Sequence, residues 1–125
     1  MRDDPYVVVV DDDQSVRQAL KRLLRSAKMD VETYPSGETF LVSLEQREPD
    51  CLVLDIRMPG MTGVELRDRV VAMGRRIPIV FITAHAEDAP EQDATGRIVE
   101  FLRKPFEGEA LLSAIGRAMR GRGAS

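Results

Sequence analysis

Four short runs, each closed by a residue that carries chemistry, constrain this chain more than any other feature. Val7-Val8-Val9-Val10 is followed by Asp11-Asp12-Asp13, and Cys51-Leu52-Val53-Leu54 by Asp55. Pro78-Ile79-Val80-Phe81-Ile82 is followed by Thr83, and Phe101-Leu102-Arg103 by Lys104. Short, continuously apolar segments bounded by turn-forming residues are the pattern of strands buried on both faces of a parallel sheet. Parallel strands point the same way, so the polar residues that close them share one edge. That carboxyl edge is where open α/β sheets bind ligands.

Helical periodicity fills the intervals. Val16, Ala19, Leu20, Leu23, Leu24 and Ala27 form one apolar stripe, which predicts a helix over residues 14–28 with Asp13 as its cap. Val31-Glu32-Thr33-Tyr34 reads as a strand, and Pro35-Ser36-Gly37 turns the chain into a helix with Phe40, Leu41 and Leu44 inward. After Asp55, Pro59-Gly60 punctuates a loop. Thr62 and Glu65 then form a capping box that opens a third helix through Val64, Val70 and Val71.

Between Glu87 and Gly96 the alternation asks for a fourth helix, but Ala89-Pro90 and a polar run supply almost no apolar face, so this helix is expected to be short or irregular. Ile98 to Leu102 reads as the fifth strand, and Leu111, Leu112, Ile115, Ala118 and Met119 mark a final amphipathic helix. The reading is one α/β domain over residues 1–120: a doubly wound, five-stranded parallel sheet with right-handed crossovers, flanked by five helices. Residues 121–125 lack pattern and read as a tail or the start of a linker.

Composition narrows the classes. A chain of 125 residues suits one core. No apolar stretch approaches the length of a membrane span, and Met1-Arg2-Asp3-Asp4-Pro5 lacks the form of a signal peptide, so the expected compartment is cytoplasmic. A net charge of −3 argues against nucleic-acid binding by the domain itself. Cys51, the only cysteine, opens a buried run and reads as a small core side chain. His85, the only histidine, lies in a polar loop and reads as exposed.

Three carboxylates, a hydroxyl and an ammonium on one edge need a common purpose. Two like charges about 4 Å apart repel by roughly 4 kcal/mol at an effective dielectric near 20, so such a cluster calls for a cation. Oxygen-only ligands suit Mg²⁺, or Mn²⁺, rather than zinc. Asp11 and Asp12 arrive together and can share the metal with Asp55, to which the backbone carbonyl of Arg57 can add a neutral ligand. Lys104 and Thr83 are then left to meet a phosphoryl group. Asp55 stands alone at its strand end and is the best nucleophile, able to form an acyl phosphate.

These residues resemble a known family, the receiver domain of two-component response regulators, and within it the FixJ-like group. The resemblance spans nearly the whole chain. It rests on Val10-Asp11-Asp12-Asp13, on Leu54-Asp55-Ile56-Arg57-Met58-Pro59-Gly60-Met61-Thr62-Gly63-Val64-Glu65-Leu66, on Ile82-Thr83-Ala84-His85, and on Phe101-Leu102-Arg103-Lys104-Pro105-Phe106. The family implies a flavodoxin-like fold with strand order 2-1-3-4-5 and a cis bond before Pro105. It implies that Asp55 accepts a phosphoryl group from a sensor histidine kinase, that Asp11, Asp12, Asp55 and the Arg57 carbonyl hold Mg²⁺, and that Thr83 and Lys104 contact the phosphoryl group. Thr83 and Phe101 would form the switch that remodels a partner or dimerisation surface.

The resemblance also implies a phosphoacceptor rather than an enzyme acting on external substrates, homodimerisation on phosphorylation, and a DNA-binding output domain following the receiver. One departure is visible: Ala94-Thr95-Gly96-Arg97-Ile98 sets its glycine one position away from the usual family pattern. It touches the fourth helix and leaves the phosphorylation residues intact. Two alternatives stand beside this reading. A haloacid-dehalogenase-like phosphatase would use Asp11 as nucleophile but leaves Asp55 without a role, and a degenerate receiver would act only as a binding module.

Overall fold

A computed structural model describes residues 4–90 and 99–123. The residues closing β1 (Tyr6–Val10), β3 (Cys51–Asp55), β4 (Ile79–Thr83) and β5 (Glu100–Arg103) do line one edge, because β2 (Asp30–Tyr34) and these four strands form a single sheet in the order 2-1-3-4-5. Every neighbouring pair is parallel. The inner strands β1 and β3 are buried at every position, which is why their sequences are unbroken apolar runs.

Alternate residues of each strand feed two cores. Tyr6, Val8, Val10, Leu52, Leu54 and Phe81 pack with Phe40 and Leu44 of α2 (Gly37–Leu44) and with Leu66 and Val70 of α3 (Gly63–Ala72). Val7, Val9, Cys51, Val53, Val80 and Ile82 pack on the other face with Leu20 and Leu24 of α1 (Gln14–Ser26) and with Leu111, Ala114 and Ile115 of α4 (Gly108–Gly123). Helices therefore cover both faces, as the doubly wound reading requires. Cys51 is wholly buried, and burial pushes its thiol up to about 12, so it is an inert core residue. Among the described residues no helix is long and apolar enough to cross a membrane.

The helix caps were local and fell where expected. The Asp13 side chain accepts from the Ser15 and Val16 backbone N–H groups, and Thr62 and Glu65 complete a reciprocal capping box. Other expectations need correction. α1 stops at Ser26 rather than at residue 28, and Lys28 turns the chain with a positive φ of 63°. Ala19 and Ala27 are exposed despite lying on the apolar stripe, because Leu20 and Leu24, one turn apart, occupy the contact line.

In α3 the inward pair is Leu66 and Val70, spaced i, i+4, while Val71 is 49% exposed. β5 runs from Glu100 to Arg103 rather than from Ile98 to Leu102, a register set by pairing of Phe81 with Phe101 and Thr83 with Arg103. The described part of the expected fourth helix is one 3-10 turn, Ala86–Asp88. Ala89 and Pro90 are not helical, residues 91–96 of that expectation and Ile98 lie outside the described residues, and four α-helices are present among the described ones. α4 continues through Gly123, into the stretch read as a tail.

Candidate functional site

Strand register brings the chemistry together. Val10 pairs with Leu54, Asp55 with Ile82, and Thr83 with Arg103, so Asp11, Asp55, Thr83 and Lys104 emerge side by side. Asp11 is fully buried and held at four points: its N–H donates to the Tyr34 carbonyl at 3.1 Å, and its carbonyl accepts from Arg17 Nη1 at 2.7 Å. Its Oδ1 accepts from the Asp13 N–H at 2.9 Å, and its Oδ2 from Lys104 Nζ at 2.8 Å. A buried carboxylate is tolerable only when satisfied and paired in this way.

Lys104 Nζ also lies 3.5 Å from Asp55 Oδ1. The Lys104 backbone N–H donates to the Thr83 carbonyl at 2.7 Å, and the Lys104–Pro105 bond is cis, as the resemblance implied. Asp11, Asp12 and Asp55 each offer a carboxylate oxygen, all within 4.8 Å of one another. When ionised, three carboxylates facing one ammonium leave an excess of negative charge. Burial, the Asp11 charge and, more weakly, Asp12 push the Asp55 carboxyl up to about 7, against the opposing pull of Lys104. Burial alone would lower Lys104, but its hydrogen bond to Asp11 and the charges of Asp11 and Asp55 outweigh that and raise it.

Thr83 is wholly buried and closes β4 beside this cluster. Its hydroxyl donates to the His85 carbonyl at 3.2 Å and accepts from the His85 N–H at 2.9 Å, so it is engaged by the next turn rather than by the acids. The donor set of the cluster, carboxylate oxygens alone, fits a hard divalent cation and not zinc.

The family model described as the response regulator receiver domain matches residues 7–116. The chain belongs to this family. It is 36% identical over 115 residues to the response regulator protein TodT of Pseudomonas putida, covering 91% of this chain and 51% of that protein. It is 37% identical over 117 residues to the transcriptional regulatory protein FixJ of Bradyrhizobium diazoefficiens, covering 92% and 57%. Among solved structures it is similar to the response regulator StyR, at 48% identity and a TM-score of 0.83, over 97% of this chain and 62% of that one. The chain spans about half the length of the curated relatives it matches. These likenesses support the receiver reading and not the phosphatase alternative.

Three residues of the receiver's site had no reading in the sequence as the structure uses them. Arg17 anchors the Asp11 carbonyl from α1. The exposed Arg57 side chain, read only for its carbonyl, forms an ion pair with Asp88 through Nε and Nη2. Gly63, present in the family motif, brings α3 hard against the end of β3: its N–H donates to the Ile56 carbonyl at 2.9 Å, and a Cβ there would lie 2.3 Å from the Asp55 carbonyl oxygen. No rotamer relieves a backbone clash. Gly63→Ala is therefore expected to displace the Asp55 backbone, to cost about 1–3 kcal/mol, and to weaken the hold of the three carboxylates on any added Mg²⁺. Thermal melts with and without Mg²⁺ check this, and a melt matching wild type in both would refute it.

Phe101, on the edge strand β5, is 40% exposed and is not a core side chain. His85 is exposed, as expected.

Proposed function

We propose that this receiver accepts a phosphoryl group on Asp55 from the phosphohistidine of a sensor histidine kinase. The observation that carries the reading is the convergence of Asp55, Asp11, Asp12 and Lys104 on one strand edge, with the Lys104 ammonium between Asp11 and Asp55. An Asp55 carboxylate oxygen attacks phosphorus, the bond from phosphorus to the imidazole nitrogen breaks, and the leaving imidazole recovers a proton from solvent. Lys104 balances charge on the phosphoryl oxygens as they approach. Asp11, Asp12, Asp55 and the Arg57 carbonyl would hold Mg²⁺, which when bound offsets the crowded negative charge and polarises the phosphoryl group.

Hydrolysis of the acyl phosphate by water resets the domain, so its only catalysis is of its own phosphorylation and dephosphorylation. The test is incubation with acetyl phosphate and Mg²⁺, followed by intact mass measurement and peptide mapping. Incorporation of one phosphoryl group, located at Asp55, is the expected result. An unchanged mass, or a label on Asp11, would overturn it.

The switch runs through Thr83 and Phe101. The Thr83 hydroxyl leaves the His85 backbone for the new oxygens, and Phe101 turns inward from the exposed side of β5, a population shift between two packings. The remodelled surface serves homodimerisation or restraint of a DNA-binding output domain beyond this receiver, in a cytoplasmic regulator. Thr83→Ala is expected to be phosphorylated yet to lose phosphorylation-driven self-association, read by size-exclusion light scattering. Undiminished self-association in that variant would break the proposed coupling.

A further inference from the structure

Arg57 and Asp88 stand on different loops at the carboxyl edge of the sheet. Arg57 lies two residues beyond Asp55, and Asp88 closes the 3-10 turn that follows Thr83 and β4. Their side chains meet as a fork, Nε on Oδ2 and Nη2 on Oδ1 at 3.3 Å. The Arg57 side chain is 57% exposed, so water weakens the pair, and exposed pairs of this kind yield easily to a better partner. A guanidinium that grips a carboxylate grips a phosphoryl group through the same parallel N–H bonds, and more strongly because that group carries more charge. Two residues of chain span at most about 7 Å, which puts a group on Asp55 within the arc of the Arg57 side chain once it leaves Asp88.

We propose that Asp88 competes with the phosphoryl group for Arg57. In the unphosphorylated receiver the guanidinium is parked on Asp88. A phosphoryl group arriving at Asp55 draws it off, so that Arg57 becomes an anion-binding residue and the 3-10 turn is released from the loop after β3. The inference rests on the reading of Asp55 as the acceptor, and it adds no covalent step.

Competition has a signature that a structural ion pair lacks. If the pair only braced two loops, removing either partner would perturb phosphorylation in the same direction. Under competition the two removals act in opposite directions. The full chain with Mg²⁺ is treated with acetyl phosphate at constant ionic strength, and the second-order rate constant for labelling of Asp55 is measured. Arg57→Ala is expected to lower it about two- to fivefold and Asp88→Ala to raise it about two- to fivefold, the range open to an exposed ion pair. In an Arg57→Ala background, Asp88→Ala should change little, because there is no guanidinium left to release. Calorimetric binding of beryllofluoride with Mg²⁺ should follow the same order.

Both single variants shifting the same way, Asp88→Ala having no effect, or its effect persisting undiminished without Arg57 would each overturn the competition. Failure of the wild-type chain to label at Asp55 would instead overturn the proposed function.

Discussion

Replacing Asp55 with Asn is expected to stabilise the metal-free receiver at pH 8 and, in the same molecule, to abolish phosphoryl acceptance. The cause is the crowding of carboxylates. Asp55 is pushed up to about 7 chiefly by burial and by the neighbouring Asp11 charge, from an ordinary value of 3.8. Between these values the folded chain keeps a proton that the unfolded chain has released, so stability falls as pH rises from about 4 to about 7 and stays reduced above that.

A displacement of this size corresponds to an upper figure of about 4 kcal/mol. The Asn variant should therefore melt higher than wild type at pH 8 and nearly with it at pH 4. Mg²⁺ held by the three carboxylates as proposed would relieve the same crowding, and at a hundred times its dissociation constant it would add about 2.7 kcal/mol to wild type and much less to the variant. Calorimetric melts at the two pH values, with and without Mg²⁺, check the claim. An Asn variant less stable than wild type at pH 8 would show that the pocket does not hold Asp55 under repulsion.

Replacing Lys104 with Met is expected to act the other way. Lys104 supplies the one described ammonium that touches the cluster, 2.8 Å from the fully buried Asp11 Oδ2 and 3.5 Å from Asp55 Oδ1. Methionine keeps the volume of the stem and removes the charge, leaving the Asp11 carboxylate, among the described residues, with the Asp13 N–H as its hydrogen-bond partner. Breaking a buried pair by deleting one partner costs about 3–5 kcal/mol, enough to lower the melting temperature of a domain this size by roughly 10 °C or more.

The loss should shrink when Mg²⁺ is added, because a cation returns to the carboxylates, and shrink again at pH 5, where Asp55 is protonated. Phosphorylation by acetyl phosphate should slow sharply, since no ammonium meets the incoming oxygens. A variant within 1 °C of wild type at pH 8, an order-of-magnitude margin on the stated cost, would mean that solvent rather than Lys104 balances the acids.

Much of this architecture was legible because it rests on local patterns. β1 and β3 are buried on both faces, and a strand so placed has no position that tolerates a polar side chain, so Val7 to Val10 and Cys51 to Leu54 announce themselves. The caps at Asp13 and at Thr62 with Glu65 are equally local, made within three residues of chain. β5 was harder, since an edge strand alternates between partly buried and exposed positions and its start carries no strong signal. In α3 the choice of Leu66 over Val71 for the core depended on which face the sheet met, a fact of docking rather than of periodicity.

The site divides along the same line. Residue order alone determined that Asp11, Asp12, Asp55, Thr83 and Lys104 would end strands on one edge, because parallel strands with helical crossovers must all point the same way. Only the tertiary structure decided how they meet. Lys104 reaches Asp11 across 93 residues of chain, Arg57 reaches Asp88 across 31, and Gly63 leaves no room for a side chain against the Asp55 backbone. Contacts made over such separations are selected by packing and charge in the assembled fold, and no periodicity along the chain encodes them.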